Sequence, residues 1–417
     1  MRRVVSLSSI LTKPESSREE SVGDLQNVIL DVGGEQLLSI ISPRCSQKFS
    51  APRFADEISR AIDHAYISDA GREQNVTAIG EPRNILIVLL GALGDVARGS
   101  TIIPPLRRRF PNAHISWLVE TKSASFVRLN ERVDTVYEFV RSRWWESAEL
   151  LWRLRQSRFD LVLDLQRHLK SGLFSFSTGA PRRVGVNRKN AKEGNWLFNT
   201  EQCGFIPDSE SKMELYRAFL TALGIEEGLD HSGGFRREQF LPLLPDEVVR
   251  LPGRRVGVVM GSTWPTKDLP KQGYQQLISG ILKETDFSVV LLGDKTQAAL
   301  GKEIAEVSAG GPRIINVAGS TNLGQLMGVL ASSAAVIGPD SGPGHLSSLV
   351  GTPYVTIFGP TDPKRVAPFG SEPFSIIPAI GCAPCWRRSC PGLNNLCMRL
   401  HAPSEMVAQV VAAASTR

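Results

Sequence analysis

The chain has 417 residues, of which 42% are hydrophobic and 22% charged; this is ordinary for a folded globular protein, but longer than one core usually extends. Its longest apolar run, Ile85–Leu90 with a few neighbours, is far shorter than the roughly 20 residues that a membrane-spanning helix needs. Residues 1–11 mimic a secretory signal, but serines interrupt the apolar stretch and no cleavage pattern follows. We therefore expect a cytoplasmic protein with two domains.

The net charge of +6 is unevenly distributed. Residues 91–200 hold 19 Lys and Arg against 10 Asp and Glu, so this segment carries +9. A concentrated positive field favours an anionic partner. Because no nucleic-acid-binding motif accompanies it, we expect an anionic acceptor at a membrane surface and no nucleic acid.

The predicted elements fall into two similar halves. Residues 1–82 are rich in Ser, Glu and Arg, which predicts a partly disordered N-terminal extension. From Asn84, short Val, Ile and Leu runs alternate with Gly-rich turns and helix-length segments, the pattern of a parallel sheet with crossover helices. The first domain, residues 83–240, has expected strands Ile85–Leu90, His114–Val119, Thr135–Phe139, Leu161–Leu165 and Arg182–Val186. The second, residues 254–403, has Arg255–Met260, Ser288–Leu292, Arg313–Asn316, Ala335–Ile337 and Tyr354–Phe358. A closing helix is expected over residues 404–417, with Ser404 as its N-cap.

The turn after the first expected strand reads Gly91-Ala-Leu-Gly94-Asp95-Val96. It is not a dinucleotide fingerprint, because that site needs three spaced glycines and a carboxylate in the turn would repel a pyrophosphate. A carboxylate at the carboxyl end of a strand can instead take a proton from an acceptor hydroxyl. Asp95 is therefore the candidate general base. The alternative is that Asp95 only caps the following helix.

Two turns of the second half offer groups for an anion. Gly261-Ser-Thr-Trp-Pro-Thr-Lys267 supplies hydroxyls, backbone N–H groups and a lysine, unless its hydroxyls only satisfy their own backbone. Gly338-Pro-Asp-Ser-Gly-Pro-Gly-His-Leu346 has glycines that let a ligand approach the backbone, and its histidine begins a helix whose N-terminus can face an anion. Phe358-Gly-Pro-Thr-Asp-Pro363 follows one strand later.

Together these motifs resemble glycosyltransferase family 9, the ADP-heptose:lipopolysaccharide heptosyltransferases, from Asn84 to the C-terminus. The resemblance rests on G-D-V with L-R-R-R-F-P at Leu106–Pro111, the G-S-T-x-x-x-K turn, D-S-G-x-G-H-L and F-G-P-T-D-P, in that order. It implies an α/β fold of GT-B architecture, in which two Rossmann-like domains face a cleft, the first for the acceptor and the second for the donor. It also implies inverting transfer of a heptose-like sugar from ADP-heptose to a lipopolysaccharide core or related glycolipid. No cofactor would be required, and the enzyme would contact the inner face of the inner membrane.

The resemblance also implies roles for residues. Asp95 matches the general base, and the donor-binding residues are Ser262, Thr263, Lys267, Asp340, Ser341, Gly342, Gly344 and His345. Three positions depart from the family pattern: Thr101 replaces a proline, Arg98 adds a charge, and Leu269 replaces a tryptophan.

Basic residues of the first domain are expected to bind acceptor phosphates. The candidates are Arg98, Arg167 and Lys170, in a segment that also contains Arg107, Arg108, Arg109, Arg182 and Arg183. Arginine suits this role because its guanidinium can bind phosphate through two hydrogen bonds. Any one of these basic residues could equally well lie on a solvent-exposed helix face without binding a ligand.

Cys382, Cys385, Cys390 and Cys397 form a C-x2-C-x4-C-x6-C cluster. Clustered thiols in a cytoplasmic protein suggest a structural zinc site more readily than disulfides. A redox clip or plain reduced thiols are the alternatives. Cys45 and Cys203 are single and expected to be inert.

Two other functions stay open. The enzyme could use a different nucleotide sugar, or a protein or polysaccharide acceptor. A protein of another class, a non-catalytic nucleotide-sugar-binding protein, would also fit the fold. Retention of Asp95, Lys267, Asp340 and His345 favours the enzyme.

Overall fold

The computed structural model describes residues 81–141, 147–308 and 310–417. The expected N-terminal extension lies outside these residues except for positions 81 and 82, and so does Cys45. The strands form two six-stranded sheets in which adjacent strands are parallel.

The first sheet has the strand order β3-β2-β1-β4-β5-β6. Its strands are β1 (Asn84–Val88), β2 (His114–Glu120), β3 (Thr135–Phe139), β4 (Leu161–Asp164), β5 (Arg182–Gly185) and β6 (Glu201–Gln202). The helices of this half are α1 (Leu93–Gly99), α2 (Ile103–Arg109), α3 (Thr121–Arg128), α4 (Ser147–Gln156), α5 (Leu169–Ser177), α6 (Lys212–Ala222) and α7 (Asp246–Val249).

The second sheet has the strand order β12-β11-β10-β7-β8-β9. Its strands are β7 (Arg255–Val259), β8 (Ser288–Leu292), β9 (Ile314–Asn316), β10 (Ala335–Pro339), β11 (Tyr354–Ile357) and β12 (Ser375–Ile376). The helices are α8 (Lys271–Glu284), α9 (Ala298–Val307), α10 (Leu323–Ser332), α11 (Gly342–Leu349), α12 (Pro363–Val366), α13 (Leu396–Arg399) and α14 (Pro403–Ser415).

Both sheets follow the same order. If the strands of each sheet are numbered 1 to 6 along the chain, so that β7 becomes strand 1 of the second sheet, both sheets have the order 3-2-1-4-5-6. This is the strand order of the Rossmann fold. The direction of winding therefore reverses between β1 and β4 in the first sheet and between β7 and β10 in the second. Ligands of open parallel sheets bind beyond the carboxyl ends of the strands at such switch points. This topology draws attention to the loops that follow these four strands.

The central strands are continuous apolar runs because helices cover both faces of each sheet. Residues 85–88 of β1 and 289–292 of β8 are almost completely buried, as expected for parallel strands in an α/β fold. One apolar cluster continues from the first sheet to one face of the second and includes Phe240, Leu346 and Tyr354. The two halves thus share part of their core.

The last helix differs from the prediction at its start. Helix α14 begins at Pro403, its N-cap is Ala402, and the predicted N-cap Ser404 lies inside the first turn. Proline suits a first helical position because its missing N–H has no partner there in any case. The helix packs its buried face, including Met406 and Val410, into the core of the second sheet. Across the described ranges, no helix combines the length and apolar character needed to cross a bilayer.

Candidate active site

Two neighbouring cavities open at the switch points of the sheets. The larger, about 620 Å³, lies between the two halves and is lined by the loops after β1, β7, β8 and β10. The smaller, about 290 Å³, lies beside the first sheet and is lined by the loop after β4 and the segment that leads into α6. Asp95 and Lys212 line both cavities. These two side chains therefore mark the junction between the cavities.

Asp95 lies in the first turn of α1 and is bound by two cations. Arg98 and Lys212 both donate to its Oδ1, with Lys212 Nζ at 3.2 Å. Its Oδ2 receives no hydrogen bond from the described residues. Burial raises the pKa of this carboxyl, but the charges and hydrogen bonds of Arg98 and Lys212 outweigh it and hold the pKa well below its usual range. The N-cap of α1 is Ala92, so Asp95 does not cap this helix.

Arg98 connects the first half to the second. Its guanidinium is 8% exposed, and its Nη1 lies 2.6 Å from Nε2 of His345, which is 6% exposed on α11. Because arginine has no acceptor atom, His345 Nε2 must accept this hydrogen bond. Burial and the charge of Arg98 hold the pKa of His345 well below its usual value, so the ring is neutral. Gly94 permits this contact, since a Cβ there would lie 2.9 Å from the His345 ring.

The second switch point is built around a buried ion pair. Lys267 Nζ lies 2.7 Å from Asp340 Oδ2, and the two side chains are 12% and 8% exposed. Thr361 Oγ1 also donates to Asp340, at 3.0 Å. Lys267 lies over the ring of Trp264, 4.6 Å from its centroid. The lysine is thus fixed at the cavity wall by a carboxylate below it and an aromatic ring beside it.

The other predicted donor-binding residues lie on the same wall. Ser262 Oγ lies 2.8 Å from both Asp268 Oδ1 and the carbonyl oxygen of Trp264, so its one O–H is directed to an acceptor within its own turn. Thr263 is exposed to the cavity. Ser341 is the N-cap residue of α11 without a side-chain capping bond, and Gly342 lines the cavity beside it. Gly344 does not line the cavity; a Cβ there would lie 2.9 Å from the Tyr354 ring, so it serves close packing.

The far end of the larger cavity is apolar and has polar groups at its rim. Leu292, Leu323 and Leu326 line it together with Asn322 and Gln297. An apolar slot with a few hydrogen-bonding groups suits a planar base, and the cationic end near Lys267 suits phosphates. The lining of this cavity thus offers both kinds of group that a nucleoside diphosphate needs.

The basic residues predicted to bind the acceptor are scattered. Arg167 lines the smaller cavity and pairs with Asp208 at 3.3 Å. Lys170 lines neither cavity, and its Nζ lies 4.9 Å from the centroid of the Phe139 ring. Arg98 reaches the larger cavity and contacts the second half of the chain. The other arginines of this segment bond to acceptors of the protein itself: Arg107 to Asp134, Arg108 to Glu227, Arg109 to Glu81, Arg182 to Glu201, and Arg183 to the carbonyl oxygens of Phe198 and Ala180.

The four clustered cysteines line a third cavity, of about 320 Å³. All four thiols are free. Within the described part of the chain, no group of three or more His, Cys, Asp or Glu side chains is placed to hold a metal ion. The predicted zinc site is therefore not supported. Cys203 is buried, and burial raises the pKa of its thiol to about 11, which fits an inert residue.

Lys212 lies in the candidate site but was not predicted to be a site residue from the sequence. It is the first residue of α6, preceded by the N-cap Ser211, whose Oγ accepts from the N–H of Met213. A lysine at a helix N-terminus is unfavourable because the helix dipole is positive there. This misplaced charge was a signal in the sequence, but its partner, Asp95, is distant in the chain.

Two parallel Rossmann-like sheets that face a cleft at their switch points form the GT-B architecture, so the predicted fold class is confirmed. The model of glycosyltransferase family 9 (heptosyltransferase) matches residues 148–395, and the chain belongs to this family.

Relatives and solved structures agree with this assignment. The chain is 23% identical to the lipopolysaccharide core heptosyltransferase OpsX of Haemophilus influenzae, over 70% of this chain and 83% of that protein. The solved Escherichia coli ADP-heptose lps heptosyltransferase II is 20% identical, with a TM-score of 0.62 over 80% of this chain and 99% of that one. E. coli heptosyltransferase WaaC, solved with ADP-2-deoxy-2-fluoro heptose, is 22% identical, with a TM-score of 0.61 over 76% and 98%.

Proposed function

We propose that this glycosyltransferase transfers a heptose from ADP-heptose to a lipopolysaccharide core, with inversion at the anomeric carbon and Asp95 as the general base. The observation that carries the proposal is the position of Asp95 at the junction of the two cavities. A donor in the larger cavity and an acceptor in the smaller would meet at this carboxylate. The donor and acceptor are supported by relatives named as lipopolysaccharide heptosyltransferases and by the WaaC complex with an ADP-heptose analogue.

The proposed step is a direct displacement. The acceptor hydroxyl oxygen attacks the anomeric carbon while the bond from that carbon to the diphosphate oxygen breaks, which inverts the configuration. Asp95 takes the hydroxyl proton, and its Oδ2 receives no hydrogen bond from the described residues. ADP leaves with the bonding electron pair.

The leaving diphosphate needs positive charge and hydrogen-bond donors. Lys267 supplies a charge at the wall of the larger cavity, and the N-terminus of α11 supplies backbone N–H groups and the positive end of the helix dipole. Arg98 lies beside this helix through its contact with His345. These groups supply the stabilisation, and the proposed transfer requires no cofactor.

The acceptor would enter through the smaller cavity. Arg167, His168 and Lys192 line this cavity and suit an anionic sugar or phosphate. Peripheral contact with the inner membrane is part of the proposal. Helix α4 supports it, because Trp152 is 54% exposed there and the last turn carries Arg153 and Arg155.

The experiment that tests the proposal offers purified enzyme ADP-heptose, UDP-glucose and GDP-mannose with a lipopolysaccharide core acceptor. NMR of the product gives the anomeric configuration. We expect transfer from ADP-heptose alone and an inverted anomeric centre. Transfer from a UDP or GDP sugar would keep the glycosyltransferase but remove the heptose donor. Retention of configuration would remove the direct displacement.

A further inference from the structure

The charged groups of the larger cavity form one connected set. Arg98 and Lys212 bind the same oxygen of Asp95, and Lys267 binds Asp340 across the cavity. His345 lies within the electric field of Arg98, Asp95, Lys212 and Lys267. His345 is neutral, so it adds no charge to these groups. Asp294 and Lys295, of opposite charge, also line the cavity. At the Asp95 end, two cations share a single carboxylate oxygen.

Arg98 has bonding capacity that Asp95 and His345 do not use. It is 92% buried, yet its Nε–H meets no acceptor among the described residues. A buried N–H without a partner costs free energy, and such groups in native proteins are commonly satisfied by a ligand or water. Arg98 lines the larger cavity, so a ligand there can reach the guanidinium.

Lys212 is placed to exchange partners. Its side chain and that of Asp95 are each one-third exposed, and they meet at the junction of the cavities. A lysine that is one-third exposed and has a flexible four-carbon stem can turn from one anion to another at small cost. The diphosphate of a nucleotide sugar carries a negative charge on each phosphate and would enter within reach of the same cation.

We propose that the Asp95 carboxylate and the donor diphosphate compete for Arg98 and Lys212, so that donor binding releases Asp95 to accept the proton of the acceptor. In the structure, the Asp95 carboxylate accepts hydrogen bonds from both Arg98 and Lys212. When the diphosphate takes them, the carboxylate loses the charges that suppress its basicity. Lys212 is thus a positioning residue that acts through Asp95. The inference deepens the proposed function and rests on it.

The competition has a consequence for the order of events. Before the donor binds, Asp95 is a weak base, and an acceptor hydroxyl bound beside it keeps its proton. After the donor binds, the base is available next to the reactive anomeric carbon. The enzyme therefore activates the acceptor only when a sugar is present to receive its attack.

The test is calorimetric titration of the full-length protein with ADP, with UDP and GDP alongside. Asp95→Asn keeps the size of the side chain but removes its charge, which frees the two cations. We expect ADP to bind this variant roughly three- to tenfold more tightly than wild type, as follows from the modest energy of a partly exposed ion pair. Glu303→Gln, which removes a surface carboxylate paired with Lys271, is the control for net charge and should leave the affinity unchanged.

A double-mutant cycle tests the part of Lys212. Lys212→Met alone should weaken ADP binding, and Lys212→Arg should restore most of it. In the Lys212→Met background the gain from Asp95→Asn should shrink, because one contested cation is gone. An Asp95→Asn protein that binds ADP no more tightly than wild type overturns the competition, and so does the absence of nucleotide binding by any variant. An equal gain in both backgrounds removes Lys212 from it.

The outcomes separate this inference from the proposed function. If Asp95→Asn loses sugar transfer but does not bind ADP more tightly, the proposed competition is wrong, while the role of Asp95 as general base is supported. If Asp95→Asn binds ADP more tightly but still transfers sugar, Asp95 is not the general base, while the proposed competition is supported. Thermal unfolding of each variant shows whether it is folded.

Discussion

The two switch points share one topology but carry opposite chemistry. After β1 the chain presents a carboxylate, Asp95, held by cations. After β7 and β10 it presents a lysine, Lys267, held by a carboxylate and flanked by the N-terminus of α11. One site can accept a proton, whereas the other can hold a diphosphate. The sheets determine where the ligands lie, and a few loop residues determine what each site does.

The largest expected effect comes from removing the base at the first switch point. Asp95→Asn should lower kcat by about 10²- to 10⁴-fold, the usual contribution of a positioned general base. The KM of the donor should not rise, because the donor contacts remain. Steady-state release of ADP measures both constants. A kcat within a few-fold of the wild-type value would show that Asp95 is not the general base, and the two switch points would then not differ in their chemistry.

The second effect tests the diphosphate site. Lys267→Met should weaken ADP binding roughly ten- to a hundredfold, because it removes a cation and leaves Asp340 buried without its partner. Lys271→Met, on the protein surface, is the matched control and should bind ADP like wild type. Equal affinities in calorimetry for Lys267→Met and wild type would place the diphosphate elsewhere.

The third prediction concerns a buried carboxylate near the first switch point. Asp164 is fully buried at the end of β4 and accepts from Ser171 and Asn195. Burial raises its pKa to about 7, against 3.8 for an ordinary Asp. The unfolded chain therefore releases this proton at lower pH, and stability falls as the pH rises from about 4 to about 7.

Asp164→Asn should remove this loss. Relative to wild type, the variant should gain up to about 4 kcal/mol of unfolding free energy between those pH values. Denaturant unfolding at both ends of the window measures it. Asp134, whose pKa is lowered by the backbone N–H of Ile115 and by Arg107 despite burial, gives a control of opposite sign: wild type should lose its advantage over Asp134→Asn as the pH falls. A difference between Asp164→Asn and wild type that does not change with pH would contradict a buried neutral Asp164.

The smallest effect on stability is expected for an ion pair at the surface that joins the two halves of the chain. Arg365 of α12 donates to Asp208 at 2.7 Å, and Asp208 is 72% exposed. Such a pair contributes about 0–1 kcal/mol and is screened by salt. Asp208→Ala should therefore shift the thermal midpoint slightly at low salt and not at high salt. A large shift at high salt would show that this contact, and not the shared core, holds the two halves together.

The sequence predicted the fold well because most strands are short apolar runs that alternate regularly with glycine-rich turns and helix-length segments. Strands β3 and β8 begin and end at the predicted residues, while β6 and β12, each of two residues, are too short to produce a pattern. The site was harder to predict, because Lys212 and Asp95 meet only in the folded chain. The contact of Arg98 with His345 and the separation of Lys170 from the cavities are also tertiary features. The four cysteines do line one cavity, as their spacing suggested, but spacing does not determine whether thiols are placed to hold a metal ion.

A crystal structure of the protein with ADP would show directly whether donor and acceptor are divided between the two switch points. We expect the diphosphate between Lys267 and the N-terminus of α11, within reach of Arg98 and Lys212, and the adenine in the slot of Leu292 and Leu323. Asp95 should then have fewer hydrogen bonds from these two cations. ADP bound in the smaller cavity against Arg167 would contradict the assignment of donor and acceptor to the two switch points.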